Sequence, residues 1–467
     1  MTCALVWFRQ DLRLADNPAW FEACRSCQQV IPLFIDDPSP QTPSQLGAAS
    51  RVWLAQSLAS LAKQLQAKSS RLVLRQGLAL TVLQDLIKET GASHVFWNRC
   101  YDPVSLERDK QIKARLKEQV QVQSFNAALL REPWQVLKSD GQPYKVYTPF
   151  WKALLKTGIT QALLPEPAII PSPKQWPHSQ VLAELKLLPT LPWDQGMMAH
   201  WQVGETAAYA KLQAFLATTV QQYQTARDRP AVVGTSRLSP HLHFGELGPR
   251  QIVLLAEQYL AEYPEASSGI QTFLQEIAWR EFAGYLLYHF PQTLHEPLDQ
   301  RFNQFQWATQ YQVQLQRWQQ GQTGIPIVDA GMRELWQTGW MHNRVRMIVA
   351  SLLTKNLLIP WQEGEAWFRD TLVDADLANN VLGWQWVAGC GADAAPYFRI
   401  FNPILQGEKF DPAGEYVRRW LPELAGRAVK EIHHPRVLGD GWNYPLPITD
   451  LSLSRRLALE RYAQMRA

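Results

Sequence analysis

The hydrophobic rhythm of the chain changes twice along its length. Over the first 130 residues, short unbroken apolar runs alternate with longer segments whose apolar positions recur every three to four residues. The runs at 4–8, 30–35, 71–74, 94–97 and 120–125 predict strands, and their lack of polar alternation predicts burial on both faces. The segments at 18–26, 45–67, 79–90 and 106–117 predict helices. In the second of these, Leu46, Ala49, Trp53, Leu54, Leu58, Leu61 and Leu65 share one face. Such alternation predicts an α/β domain over 1–130, a doubly wound parallel sheet with helices on both faces. Ligands of such sheets sit beyond the carboxyl ends of the strands. No G-x-G-x-x-G follows the first run, so the usual dinucleotide fingerprint is missing.

Residues 131–200 lose the rhythm altogether, and ten of the 31 prolines lie there, Pro165, Pro167, Pro171, Pro173 and Pro177 among them. Proline at this density prevents continuous helix, so this stretch reads as a long interdomain linker with one short helix near 148–156. From 201 to 467 the period is helical throughout, with helices predicted at 205–222, 249–259, 270–288, 326–338, 343–356 and 361–372. Gly248, Pro291, Gly324, Gly339 and Pro360 punctuate them. The architecture expected is thus an α/β domain, a proline-rich linker and a large all-α domain.

Composition changes this picture little. A length of 467 residues exceeds one ordinary core. The net charge of +4 permits a polyanionic partner without demanding one. Five cysteines in no disulfide framework point to a reducing, cytoplasmic setting, and Cys24-Arg-Ser-Cys27 has no second pair to complete a zinc site. No secretory signal is visible, and no apolar stretch of about 18 residues predicts a membrane span. The tryptophans are different. Nine of 20 fall between Trp279 and Trp386, more than core packing alone asks for.

Four constellations carry candidate chemistry. In Thr235-Ser236-Arg237-Leu238-Ser239-Pro240, Ser239 before proline predicts a capped helix start, and the preceding loop offers hydroxyls and free amides to a pyrophosphate. The alternative is a structural helix with a good cap. Glu276, Trp279 and Arg280 share a helix face, which suits a carboxylate hydrogen-bonded to a base edge beside a stacking indole. A surface Glu–Arg pair with a core tryptophan is the plainer option. Asn343 and Met347 lie one turn apart, with Arg346 pointing elsewhere. Met347 alone suits a core, but an Asn beside it needs a partner. Asp374 and Asp376 resemble half a calcium loop, yet the Gly and later Glu are missing, so no metal is expected. Partnership of these acids with Arg346, or with polar cofactor edges, fits better.

With these motifs, from Val6-Trp7-Phe8-Arg9-Gln10-Asp11-Leu12-Arg13 to near Phe410, the chain resembles the photolyase/cryptochrome flavoproteins over nearly its whole length. The resemblance implies an antenna domain, a linker and a helical domain holding FAD folded into a U. Matched by motif, Tyr223 and Thr235, Ser236, Arg237, Leu238 and Ser239 resemble the holders of the FAD phosphates. Arg280, Asn343, Arg346, Asp374 and Asp376 resemble the residues around flavin and adenine, and Asn380 the one facing flavin N5. Trp384, Trp361 and Trp307 resemble an electron-hopping chain from flavin to surface. Phe273 departs from relatives that carry Trp there.

Within the family, Glu276, Trp279, Asn343, Arg344, Met347 and Trp386 match the lesion-binding set of cyclobutane pyrimidine dimer photolyases. Relatives that repair (6-4) lesions carry a second His at the Asn343 position. Plant cryptochromes usually carry Asp there, another residue at Met347, Tyr at Trp386 and Asp at Asn380. The loop Ser236-Arg237-Leu238-Ser239-Pro240-His241-Leu242-His243-Phe244-Gly245-Glu246 is nonetheless cryptochrome-like. The resemblance implies a carbon–carbon lyase that repairs dimers in DNA by light-driven electron transfer from excited reduced FAD to a flipped-out lesion, acting as a monomer. A photoreceptor cryptochrome, a (6-4) photolyase and a DNA-binding module without catalysis stay open as alternatives. A light-harvesting pigment, methenyltetrahydrofolate as first choice, is expected near Asp102, where relatives often carry Glu. An empty structural domain is the other option there.

Overall fold

The computed structural model describes residues 2–38, 46–160, 162–394, 398–434 and 444–466. Five strands, β1 (Cys3–Phe8), β2 (Gln29–Asp36), β3 (Val73–Gln76), β4 (His94–Asn98) and β5 (Gln121–Phe125), form one sheet in the order β3-β2-β1-β4-β5. Every neighbouring pair is parallel. Helices α1 (Pro18–Ser26), α2 (Ala48–Ala67), α3 (Ala79–Thr90) and α4 (Pro103–Leu116) alternate with the strands. The parity of β1 shows why its run is continuously apolar. Ala4, Val6 and Phe8 enter the core on one face, while Cys3, Leu5 and Trp7 enter the core on the other.

Two edges differ from expectation. The third strand starts two residues later than 71 and includes Arg75 and Gln76, whose polarity reads as a strand end. Pairing holds them instead: Arg75 aligns with Ile35 and reaches Glu89 at 2.5 Å, and Gln76 donates to Asp36 at 2.8 Å. Helix α4 begins at Pro103 rather than 106, because Asp102 caps it by accepting from the Ser105 amide at 2.9 Å. Gln45, the expected start of the second helix, lies outside the described residues.

The linker carries α5 (Tyr147–Lys156) and the short α6 (Asp194–Met198). Beyond it follow α7 (Glu205–Thr218), α8 (Tyr223–Ala226), α9 (Ser239–His243), α10 (Pro249–Glu262) and α11 (Ser267–His289). Next come α12 (Gln312–Gln319), α13 (Pro326–Thr338), α14 (Asn343–Ser351), α15 (Trp361–Thr371) and α16 (Leu377–Ala388). The described chain closes with α17 (Pro403–Phe410), α18 (Glu415–Trp420), α19 (Val429–His433) and α20 (Leu451–Arg466). The helix expected over 205–222 stops at Thr218 and resumes as a 3-10 turn, since α11 crosses there with Gly269 against the Val220 carbonyl, where a Cβ would collide. The helix expected over 343–356 is α only to Ser351, and a π turn spans Leu352–Asn356.

The signature Arg9-Gln10-Asp11-Leu12-Arg13 builds the seam between sheet and helices. The buried Arg13 guanidinium donates to the carbonyls of Asp16, Ala127 and Gly245, each at 2.9 Å. Glu205 accepts from the Leu14 and Ala15 amides, and Arg250 pairs with Asp16 at 2.9 Å. Trp53 of α2 donates to the buried Glu246 at 3.1 Å. One apolar core therefore joins Trp53 to Trp201, Phe244 and Trp340 across the seam. Glu281 of α11 holds the linker's start by accepting from the Leu130 and Arg131 amides at 2.9 Å each.

Candidate functional site

Helix α16 organises the site by packing against α11, α14 and α15. Asp376 caps it, accepting from the Asn379 amide at 2.9 Å. Burial alone would raise the Asp376 carboxyl, but the nearby His243 ring and the Arg280 charge hold it well below the usual carboxylate range. Two residues earlier, Asp374 is buried and pairs with Arg346 at 2.8 Å, the partnership expected from sequence. One turn into α16, Asn380 donates its amide to the Glu365 carbonyl at 3.1 Å and to the Glu365 carboxylate at 2.9 Å. Both partners are acceptors, so Nδ2 must face them and Oδ1 must face away. Asn380 thus presents a neutral acceptor, the chemistry a reduced flavin N5–H requires.

The 235–239 loop lies beside this helix layer through Trp340, whose indole donates to Ser239 Oγ at 3.3 Å. Ser239 is not the cap foreseen from its sequence. It is the first residue of α9, Leu238 holds the cap position, and no side chain caps there. The hydroxyl is instead drawn to the indole. Arg237 stacks over Trp340 at 4.6 Å and adopts φ +51°, a left-handed conformation costing a non-glycine residue about 1–2 kcal/mol. Such an outlier points to function rather than stability. The amides of 235–239 and the hydroxyls of Thr235 and Ser236 have no hydrogen-bond partner among the described residues. The buried His342 Nε2 has none either. Free amides, free hydroxyls and a cation suit the phosphates of a dinucleotide, and the Asn380 acceptor suits the flavin, so the donor set fits FAD.

A second group gathers where α8 packs on α11. Glu276 pairs with Arg227 at 2.6 Å, not with Arg280, which turns to the carbonyls of Ala128 and Leu242 at 2.8 and 3.4 Å. Trp279 is half-buried, and Tyr147 of α5 covers one face of its ring at 3.7 Å with planes 6° apart. Arg344 pairs with Asp228 at 2.7 Å and approaches the Met347 sulfur at 3.9 Å. Asn343 is exposed, and Trp386 is half-buried with its indole donating to the Asp393 carbonyl at 3.1 Å. Tyr223 is buried against Phe273 at 5.8 Å, so the departure at Phe273 fills the wall behind Tyr223.

Trp384 and Trp386, two residues apart, leave α16 in different directions. Trp384 is buried and lies across Gly364, where a Cβ would run into the indole. Gly364 is one turn beyond the buried Trp361 at the start of α15. Trp307 is half-buried against Phe305 at 4.6 Å, and its neighbour Ala308 is tied to the Leu358 carbonyl at 2.8 Å, near Trp361. Sequence reasoning missed Arg227, Asp228, Trp340, Glu365 and Tyr147. Their partners lie far away in sequence, except Glu365, whose carboxylate gives no signal by itself.

A cleft opens beyond the carboxyl ends of β1 and β4, where the strand order reverses. Gln10, Asn98, Arg99 and Asp102 line it from the sheet side, and His243, Arg280, Arg369 and Asp376 from the helical side. Asp102 reaches this cleft while its carboxylate is spent on the α4 cap. His243 is buried, with its ring beside the Asp376 carboxylate.

Known proteins share this fold. The family model for the FAD binding domain of DNA photolyase matches residues 273–464, and that for DNA photolyase matches residues 4–171. The chain is 48% identical over 474 residues to the deoxyribodipyrimidine photo-lyase of Agrobacterium fabrum, covering 99% of this chain and 98% of that one. It is 39% identical to cryptochrome-2 of Arabidopsis thaliana, covering 99% and 79%. The crystal structure of a bacterial class III photolyase from Agrobacterium tumefaciens superposes with a TM-score of 0.96 at 47% identity, covering 100% and 98%. The chain belongs to the photolyase/cryptochrome family. It is an enzyme of the photo-lyase kind, a carbon–carbon lyase with an FAD-binding domain. Among the described residues no helix is long and apolar enough to cross a membrane.

Proposed function

We propose that this protein repairs cyclobutane pyrimidine dimers in DNA with light. The observation that carries the reading is Trp279, backed on one face by Tyr147 and one turn from Glu276. A flipped-out dimer, whose stacking is already weakened, meets an indole held flat by the ring behind it. Trp386 supplies the second apolar wall, and Asn343 and Met347 the remaining surface. Glu276 hydrogen-bonds a pyrimidine edge, with Arg227 balancing its charge. Arg344 holds a flanking phosphate, so affinity falls with salt. When bound, FAD supplies the photo-excited electron that opens the cyclobutane ring. The loop 235–239 with Tyr223 holds its phosphates, Arg346 with Asp374 and Asp376 holds the polar ring edge, and Asn380 offers an acceptor at N5. Trp384, Trp361 and Trp307 refill the site with electrons from the surface. Arg280 orients α9 through the Leu242 carbonyl.

In the same reading, 1–130 is an antenna domain, 131–200 its linker and 201–467 the catalytic domain of a cytoplasmic monomer. The cleft beside Asp102 holds a second pigment, a folate by first choice, with Arg99 and Arg369 available to an anionic tail. Illumination of the reduced protein with dimer-containing DNA tests the whole. Loss of the dimer is expected; intact dimers in the presence of bound, reduced FAD would sink the claim. The 39% identity to a plant cryptochrome favours one rival, a photoreceptor, which the same experiment rejects if dimers disappear. Loss of (6-4) lesions instead would reassign Asn343 and Met347.

A further inference from the structure

Asn380 does not orient itself. Its amide is held by Glu365, which is 7% exposed, and Glu365 is in turn held by Arg369, 3.3 Å away and one turn further along α15. The groups facing the Glu365 carboxylate are Arg369 on its own helix, the Asn380 amide on α16 and His295 on the loop before α12. Burial pushes this carboxyl up, against the pull of Arg369, Asn380 and His295. A protonated Glu365 would become a donor, and Asn380 could then turn its Oδ1 toward it. That rotation would present Nδ2, a donor, where a reduced flavin presents N5–H, also a donor. A charged Glu365 left unpaired would place a naked anion near the same ring. Either outcome disfavours the reduced flavin.

We propose that Arg369 is a positioning residue, which keeps Glu365 an anionic acceptor and thereby locks the Asn380 acceptor toward the flavin. The inference rests on the placement of Asn380 at flavin N5 in the proposed function. Arg369 touches no reacting atom. Its side chain is 40% exposed at the interdomain cleft, so replacing it leaves the core intact.

The test is a spectroelectrochemical titration of the FAD-loaded full chain across the neutral pH range. In Arg369→Gln the reduced-to-oxidised ratio at a fixed potential should fall roughly ten-fold, the effect of losing one hydrogen bond to a charged group. An added pH dependence should appear as Glu365 takes up a proton. Arg369→Lys should restore both. Glu365→Gln, whose amide oxygen still accepts from Asn380, should abolish the added pH dependence whether or not Arg369 is present. Asp370→Asn is the control for a loosened junction: Asp370 accepts from the Ala48 amide at 2.9 Å and does not touch Glu365, so the potential should hold. The proposal is overturned if Arg369→Gln leaves the potential and its pH profile unchanged while Asn380→Ala shifts them. If Asn380→Ala itself shifts nothing, the placement of Asn380 at the flavin is wrong and the proposal falls with it.

Discussion

Tyr147 of α5 and Trp279 of α11 lie face to face, 3.7 Å between ring centroids and 6° between planes, although they stand 132 positions apart in the chain. The Tyr147 hydroxyl donates to the Gln275 carbonyl at 2.8 Å, so the ring cannot swing away. An indole with one face occupied and rigid can stack a base on the other without first losing rotamer freedom. A stacked aromatic pair contributes about 0.5–1.5 kcal/mol beyond area burial. Tyr147→Ala should therefore weaken binding of dimer-containing DNA by roughly two- to ten-fold, measured by anisotropy, while Tyr147→Phe keeps the stack and most of the affinity.

Glu276 is committed to Arg227 before any lesion arrives. Glu276→Ala should lower repair per absorbed photon by ~3–10-fold, from the loss of one charged hydrogen bond. The flavin absorption spectrum should not change, since the role proposed for Glu276 is at the lesion. Part of the loss reflects the Arg227 charge left unpaired, and the double variant with Arg227→Ala separates the two contributions. Equal repair in wild type and Glu276→Ala would remove Glu276 from the lesion site.

Trp384 reaches α15 only because Gly364 has no side chain. Trp384→Phe should block photoreduction of oxidised flavin and spare repair by protein already reduced. Gly364→Ala should displace the indole and slow photoreduction in the same direction, at some cost in stability from overpacking. Transient absorption after a flash distinguishes the two steps, and unchanged photoreduction in both variants would exclude Trp384 as the first donor.

His342 carries a pH signature. Burial, helped by the Arg344, Arg346 and Arg237 charges and opposed by Asp228, lowers its pKa to about 4. The unfolded chain, with an imidazole near its ordinary value, binds more protons between about pH 6.5 and 4. Stability should accordingly fall as pH falls through that window, by on the order of 3 kcal/mol from this group alone. His342→Asn keeps an acceptor for the Arg344 amide that His342 Nδ1 now caps at 3.2 Å, and should flatten the slope. Denaturant melts of the cofactor-free chain at several pH values provide the measurement.

The alternating rhythm of the first 130 residues determined the α/β sheet by itself, because a strand buried on both faces must be apolar at every position, as β1 is. The helical period likewise reported α7, α10, α11, α13, α14 and α15, though not α16, and Arg346 was one of the partners expected for the acids at 374 and 376, found on Asp374 at 2.8 Å. Element ends were less legible. Arg75 and Gln76 belong to β3 because neighbouring strands pair with them, and no local pattern reports that.

The orientation of site residues was decided only by tertiary structure. Glu276 had Arg280 one turn away, the pair that helical spacing suggests, yet it binds Arg227, 49 positions earlier. Ser239 had every mark of a helix cap, yet its hydroxyl meets Trp340 from another element. Local spacing fixes which side chains share a face, but the packing of α8, α14 and α15 around α11 and α16 fixes which charges face them. A hydrogen-bonding group takes the partner that desolvates with it, and that partner is chosen in three dimensions.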